Sequence, residues 1–157
     1  WSFGHRNPQG AGTDAKGQLW TAEHGAKGGD EVNRIEKGAN FGWPVISYGV
    51  HYSGKPIGSG TQKEGMKQPA HYWDPSIAPS GLLIYSGDMF PEWKGDKFVG
   101  SLKFDHISRL EITGRNVSEA ETLKSRETNR VRDIQQGADG SIYFISAGDG
   151  AIYQITR

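Results

Sequence analysis

The sequence contains no cysteine, which excludes disulfides and thiolate-held metals and says nothing for or against an oxidising compartment. It has no net charge. Eighteen Lys plus Arg against eighteen Asp plus Glu leave no global field to gather nucleic acid or an anionic membrane surface. No apolar run approaches the roughly 20 residues of a membrane-spanning helix. Helical periodicity is nearly absent. No nucleophile elbow, phosphate-binding glycine loop or dinucleotide fingerprint occurs. There is no initiating methionine and no signal-peptide pattern, and the chain opens on the dense stretch WSFGHRNPQG.

Glycine is in excess, 23 of 157 residues, about double the usual share of roughly 7%. With seven Pro, five Trp, six Tyr and six Phe, this composition favours tight turns between short strands. Three stretches repeat one pattern. GQLWTAEHG is followed by DEVNRIEKG, GDKFVGSL by ISRLEITG, and DGSIYFISAG by AIYQIT. Each is a polar-glycine turn, an alternating strand, a loop and a second short strand, which reads as antiparallel β. A lead-in strand precedes each, in RNPQGAGTD, SIAPSGLLIYSG and RVRDIQQGADG. A four-stranded repeat of about 40–45 residues is the signature of a β-propeller blade. The spacing predicts an all-β single domain over 1–157 with about three blades, roughly 5–42, 76–124 and 129–157, and a long polar-aromatic loop over 45–73. Loops of this length in compact domains are functional or disordered, or mere surface excursions. Known propellers close with roughly 4–8 blades. The last repeat stops after its third strand, and the N-terminus begins on an inner-strand motif. Both ends therefore predict a piece of a larger propeller.

Several polar groups have a chemical reading. RVRD places Arg130 and Arg132 two apart on an inner strand, so alternation puts them on one face, where an anion would offset their repulsion. The competing reading is a solvated strand edge with Asp133 as partner. GHRNPQG sets His5, Arg6 and Asn7 at the start of another inner strand, and SLK sets Lys103 at the end of an apolar one. Cations at corresponding strand ends suggest one polyanionic ligand on the axis. EHGAKGGDE collects Glu23, His24, Asp30 and Glu31 around glycines that let carbonyls turn toward a cation. Such oxygen donors suit Ca²⁺, whereas Zn²⁺ prefers more imidazole or thiolate. A plain charged hairpin loop is the alternative. NVS (116–118) matches a glycosylation sequon.

The stretches GHRNPQG, EHGAKGGDEVNRIEKGANFGWPVISYG, YWDPSIAPSG, FVGSLK and NRVRD together resemble the C-terminal half of the soluble quinoprotein glucose/sorbosone dehydrogenases, most of all the bacterial aldose sugar dehydrogenases. The resemblance runs nearly end to end. It implies a six-bladed propeller, of which about three C-terminal blades are present. It also implies pyrroloquinoline quinone (PQQ) and Ca²⁺ on the top face, and oxidation of the anomeric carbon of aldose sugars to lactones. By the same resemblance, Arg6 and Asn7 contact the quinone carbonyl region, with Arg6 able to polarise it, and Lys103, Arg130 and Arg132 hold its carboxylates. His24 stands where glucose-specific relatives have glutamine. Main-chain oxygens of Gly25 and Ala26 ligate the catalytic Ca²⁺, although many relatives have proline at the position of Ala26. Glu31 and the Phe41 carbonyl match a second, structural Ca²⁺ site. Trp73 and Ser76 wall the cofactor. The general base is a histidine of the family's N-terminal half, and His5, His24, His51, His71 and His106 do not sit in its motif. A partial chain of this kind is expected to be inactive alone. The implied partners are an aldose and an external electron acceptor, with no nucleic acid and no membrane insertion, in a periplasmic or secreted protein. Two other readings remain open: a non-catalytic propeller that kept only the scaffold, and a half-propeller that dimerises into a ring.

Overall fold

The computed structural model describes all 157 residues and contains three antiparallel sheets. The first holds β1 (Pro8–Thr13), β2 (Leu19–Glu23), β3 (Asp30–Arg34) and β4 (His71–Trp73) in that order. The second holds β5 (Pro79–Ile84), β6 (Lys97–Ser101), β7 (His106–Thr113) and β8 (Asn116–Leu123), with a single 3₁₀ turn at Pro91–Trp93. The third holds β9 (Val131–Gln136), β10 (Ile142–Ser146) and β11 (Ala151–Ile155) and has no fourth strand. No helix is long and apolar enough to cross a membrane.

The three lead-in strands lie side by side, β1 against β5 and β5 against β9. Glycine permits this approach. A Cβ at Gly10 would sit 2.5 Å from the Leu82 amide nitrogen, and one at Gly81 would sit 2.8 Å from Asp133 Cα. Backbones this close at consecutive first strands draw the sheets together at one side and fan them apart at the other. The sheets are blades of a propeller.

Side-chain alternation follows from this stacking. The middle sheet is covered on both faces, so β5 and β6 are buried almost throughout. On one side Leu82, Val99 and Leu110 meet Trp20, Ala22, Val32 and Trp73 of the first sheet. On the other side Leu83, Phe98 and Ile107 meet Val131, Ile134, Ile142 and Phe144 of the third. Burying such side chains contributes about 1.5–3 kcal/mol each before ordering entropy is set against it. The third sheet is covered on one face only. Ile142, Phe144 and Ser146 of β10 point in, while Tyr143 and Ile145 are exposed.

The expected first repeat, 5–42, is too short. Its fourth strand, β4, comes from 71–73 and pairs with β3 through Asp30–Trp73, Glu31–Tyr72 and Val32–His71. The loop expected over 45–73 therefore gives its last three residues to the sheet. It is an excursion between the third and fourth strands of one blade.

Candidate functional site

The loop after β2 (24–29) and the segment leading into β5 (74–78) meet at one end of the sheets, and one carboxylate joins them. Asp30, the first residue of β3, is fully buried. It accepts hydrogen bonds from the Gly25 amide at 2.9 Å, the Ile77 amide at 2.7 Å, the Ala78 amide at 3.1 Å and the Ser76 hydroxyl at 2.7 Å. A buried carboxylate is tolerable only when satisfied in this way. Its effect is to fix both loops relative to the first sheet.

Between these loops and the 45–70 excursion lies a cavity of about 430 Å³. Of the residues expected at the cofactor site, His24, Ser76 and Lys103 line it, together with Ala26, expected at the catalytic Ca²⁺. His24 is held from both sides of its backbone. Its amide donates to the Asn7 carbonyl at 3.0 Å, and its carbonyl accepts from the Arg6 guanidinium at 3.3 Å. Burial depresses the pKa of the His24 imidazole; Arg6 and Arg132 act in the same direction and Asp30 opposes them. The Arg6 guanidinium also lies 5.4 Å from the centre of the Trp43 ring.

Arg130 is not on the strand. β9 begins at Val131, and Arg130 has a left-handed backbone with φ of 52°. The expectation that Arg130 and Arg132 share a face of one extended strand fails for that reason. Arg130 is held by its amide on the Asp105 carboxylate at 2.9 Å, and its guanidinium reaches the Leu102 carbonyl, one residue before Lys103, at 3.3 Å. Ala78 and Asp105 are the only other non-glycine residues with positive φ. Ala78 lines the cavity, and the amide of Arg130 rests on Asp105. Strain of this kind, on the order of 1–3 kcal/mol a residue, concentrates at functional sites.

Beside the main cavity, a hole of about 10 Å³ is bordered by Glu23, Gly25, Gly29, Glu31 and Phe41, room for about one water-sized atom. Asn33 bridges the two glutamates, donating to Glu23 at 2.7 Å and Glu31 at 3.0 Å, while its own buried carbonyl oxygen has no partner. His5 Nδ1 and the Arg6 amide hold Glu23 at 2.9 and 2.8 Å. Burial raises the Glu31 carboxyl to about 7, against the Asn33 hydrogen bond and with help from the charges of Glu23 and Asp30. No group of three or more His, Cys, Asp or Glu converges as a metal site. Any cation here would depend on main-chain oxygens as well as carboxylates. The Phe41 ring stacks on His5 at 4.7 Å.

The family model for glucose / sorbosone dehydrogenase matches residues 1–154. The chain belongs to that family. It is 39% identical over 149 residues to the aldose sugar dehydrogenase YliI of Escherichia coli K12, covering 93% of this chain and 40% of that protein. It is 33% identical over 106 residues to the quinoprotein glucose dehydrogenase B of Acinetobacter calcoaceticus, covering 66% of this chain and 21% of the relative. The structure superposes on the apo form of the soluble aldose sugar dehydrogenase of Escherichia coli with a TM-score of 0.91 and 36% identity, over all of this chain and 47% of that one. The chain thus spans less than half the length of these relatives.

Within this glucose/sorbosone dehydrogenase fold, Trp73 is not a wall of the cavity. It is 7% exposed and packs in the core between the first two sheets, with His71 edge-on at 4.7 Å. The pairing of β4 with β3 turns its ring inward. Ser76, by contrast, lines the cavity while donating to Asp30. Sequence reasoning placed Asp30 in an acidic cluster and missed its role as the anchor of two loops. It also missed Tyr48, Tyr52 and Asp74, which line the cavity. The cue for the tyrosines was the aromatic content of the long loop. The cue for Asp74 was its place next to the Pro75–Ser76 pair.

Proposed function

We propose that this chain supplies the greater part of the PQQ and Ca²⁺ site of a quinoprotein aldose dehydrogenase, a periplasmic or secreted oxidoreductase that converts aldoses to lactones and passes electrons to an external acceptor. The observation that carries this reading is electrostatic. Lys103 lines the cavity with His24, the Arg6 guanidinium donates to the His24 carbonyl at 3.3 Å, and the Arg130 guanidinium reaches the Leu102 carbonyl, next to Lys103, at 3.3 Å; neither these three nor Arg132 takes part in an ion pair. Arg6 and Arg132 both act on His24, which shares the cavity with Lys103. Such unpaired cations suit a ligand that brings its own negative charge, and three quinone carboxylates would meet that need.

In this reading Lys103, Arg130 and Arg132 hold carboxylates, and Arg6 and Asn7 face the quinone carbonyls. His24 and Ser76 offer hydrogen bonds. Main-chain oxygens at Gly25 and Ala26 would hold the catalytic Ca²⁺, and Glu31 with the Phe41 carbonyl a second one, completed by Glu23. When bound, the quinone supplies the hydride acceptor that no side chain can provide. By the family resemblance, the base that removes the anomeric hydroxyl proton is assigned to the family's N-terminal half rather than to the histidines of this chain. His71 and His106 are mostly enclosed, each with a buried ring nitrogen that lacks a partner, and His5 is bound to Glu23.

The test is PQQ titration of the full-length protein in the presence of Ca²⁺, followed by sugar-dependent dye reduction. Saturable quinone binding and turnover are expected. The 157-residue chain by itself should give no turnover with added quinone and Ca²⁺. Absence of quinone binding to the full-length protein would favour a scaffold that has lost the cofactor.

A further inference from the structure

Asp105 and Arg130 belong to different sheets, yet both have left-handed backbones, with φ of 57° and 52°, and a hydrogen bond joins them. Asp105 ends the turn 102–105 between β6 and β7, which also carries Lys103. Its carboxylate accepts the Arg130 amide at 2.9 Å, and its carbonyl accepts the Thr128 hydroxyl at 2.8 Å. From its own sheet Arg130 is gripped at the end of β10. The Ala147 amide donates to the Arg130 carbonyl at 3.1 Å, and the Gly148 amide and Ser146 hydroxyl donate to the Asn129 carbonyl at 3.1 and 2.9 Å. The turn with Lys103 is itself pinned to the segment that Asp30 holds. The Leu102 amide donates to the Ala78 carbonyl at 3.1 Å and the Lys103 amide to the Ile77 carbonyl at 3.3 Å.

Aspartate tolerates a left-handed backbone, but arginine has no such reason of its own to adopt one. The conformation of Arg130 persists because its surroundings over-determine it. The Asp105 carboxylate is the part of those surroundings that comes from the second sheet. It takes the main chain of Arg130 and not its charge. Asp105 makes no ion pair with Arg130 or Lys103, and the Arg130 guanidinium hydrogen-bonds only the neutral Leu102 carbonyl.

We infer that Asp105 is a positioning residue for the anionic cofactor: by holding the Arg130 amide it sets the Arg130 guanidinium beside Lys103 and leaves both charges for ligand carboxylates. This rests on the quinoprotein reading above and adds a residue that itself touches no ligand. Released from Asp105, residue 130 relaxes toward the extended region and its guanidinium leaves Leu102.

The test is calorimetric PQQ titration of the full-length protein with Ca²⁺ present, with thermal midpoints measured in parallel. Asp105→Ala is expected to raise the quinone Kd about tenfold, part of the roughly 10–100-fold that a charge-assisted pair contributes. Asp105→Asn keeps an oxygen for the amide and tolerates positive φ, so its Kd should stay within about twofold of the unaltered value. Arg130→Ala preserves the hydrogen bond to Asp105, because that bond uses the main chain. Adding Asp105→Ala to Arg130→Ala should therefore lower the thermal midpoint as much as it does in the unaltered protein, while the Kd rises little further. Asp105→Gly, at ease with positive φ, takes the same role if Asp105→Ala does not fold. A Kd unchanged on loss of the carboxylate overturns the inference. So does an equal rise in Kd with and without the Arg130 side chain, or a failure of Asp105→Asn to restore affinity. If the unaltered protein binds no quinone at all, the quinoprotein reading falls and takes this role of Asp105 with it.

Discussion

Ser76 donates its hydroxyl to the Asp30 carboxylate at 2.7 Å across 46 positions of sequence. That bond, with three amides on the same carboxylate, makes two loops of the site one rigid body. Asp30→Ala would strand several buried donors, each costing about 1–3 kcal/mol unless water reaches it. The variant should lose about 3 kcal/mol or more in urea denaturation of the full-length protein. Ser76→Ala removes one donor and should lose about 1 kcal/mol. Equal losses in the two variants would mean that Asp30 is not the anchor.

Arg130 offers a separation of strain from ligand binding. Its φ of 52° suits glycine far better than any residue with a Cβ. Arg130→Gly should be about 1 kcal/mol more stable than Arg130→Ala. Both should weaken PQQ binding alike, by on the order of 10–100-fold, the effect of a lost charge-assisted pair. Arg132→Ala should weaken it as much. Arg109, paired with Asp96 and Glu121 on the second sheet, serves as the control, and its replacement should leave quinone affinity alone. A fall in quinone affinity in Arg109→Ala matching that in Arg132→Ala would point to a general loss of structure.

Glu31 links metal to pH. Its carboxyl is raised from 4.5 to about 7, so the folded state holds a proton that the unfolded state has released. Stability of the metal-free protein should therefore fall as pH rises from about 4.5 to about 7, by roughly 2–3 kcal/mol. Glu31→Gln should flatten that slope and stabilise the metal-free protein at pH 8. Added Ca²⁺ should raise the thermal midpoint of the unaltered protein and leave that of Glu31→Gln nearly unmoved. Calorimetry that detected Zn²⁺ binding here but no Ca²⁺ would reverse the assignment.

The lead-in strands were legible because local periodicity carries them. Expected within RNPQGAGTD, SIAPSGLLIYSG and RVRDIQQGADG, they lie at Pro8–Thr13, Pro79–Ile84 and Val131–Gln136. β4 was not legible. It is three residues long, and its partner strand β3 lies beyond a long excursion, so no local pattern marks it. Trp73 was misplaced for the same reason, since its inward direction depends on pairing with Asp30. The cations of the site were visible as residue types at strand ends. The position of Arg130 was not, because it depends on a left-handed turn held by Asp105 from another sheet. Asp74 has no motif of its own and joins the cavity wall only through the fold, where Gly28 approaches it.

Lys97 is a buried cation outside the site, and its titration has a definite sign. It is fully enclosed between the first two sheets, with its ammonium 3.9 Å from the centre of the Trp20 ring. Asp14, which accepts from the Trp20 indole at 3.1 Å, and Asp96 are the nearby anions. Burial lowers its pKa from 10.5 to about 8, against the attraction of these two carboxylates. Between those values the unfolded chain keeps the proton that the folded protein has released. Stability contributed by this group should therefore rise with pH from about 8 to about 10.5, by about 3 kcal/mol at most. Other lysines and tyrosines titrate in the same window, so the informative quantity is the difference from Lys97→Met, which keeps the shape and removes the charge. Measured by urea denaturation at several pH values, the unaltered protein should gain roughly 2–3 kcal/mol on the variant across that window. A difference that stays constant would mean that Lys97 remains charged in the fold. The face of Trp20 and the two carboxylates would then compensate its burial in full.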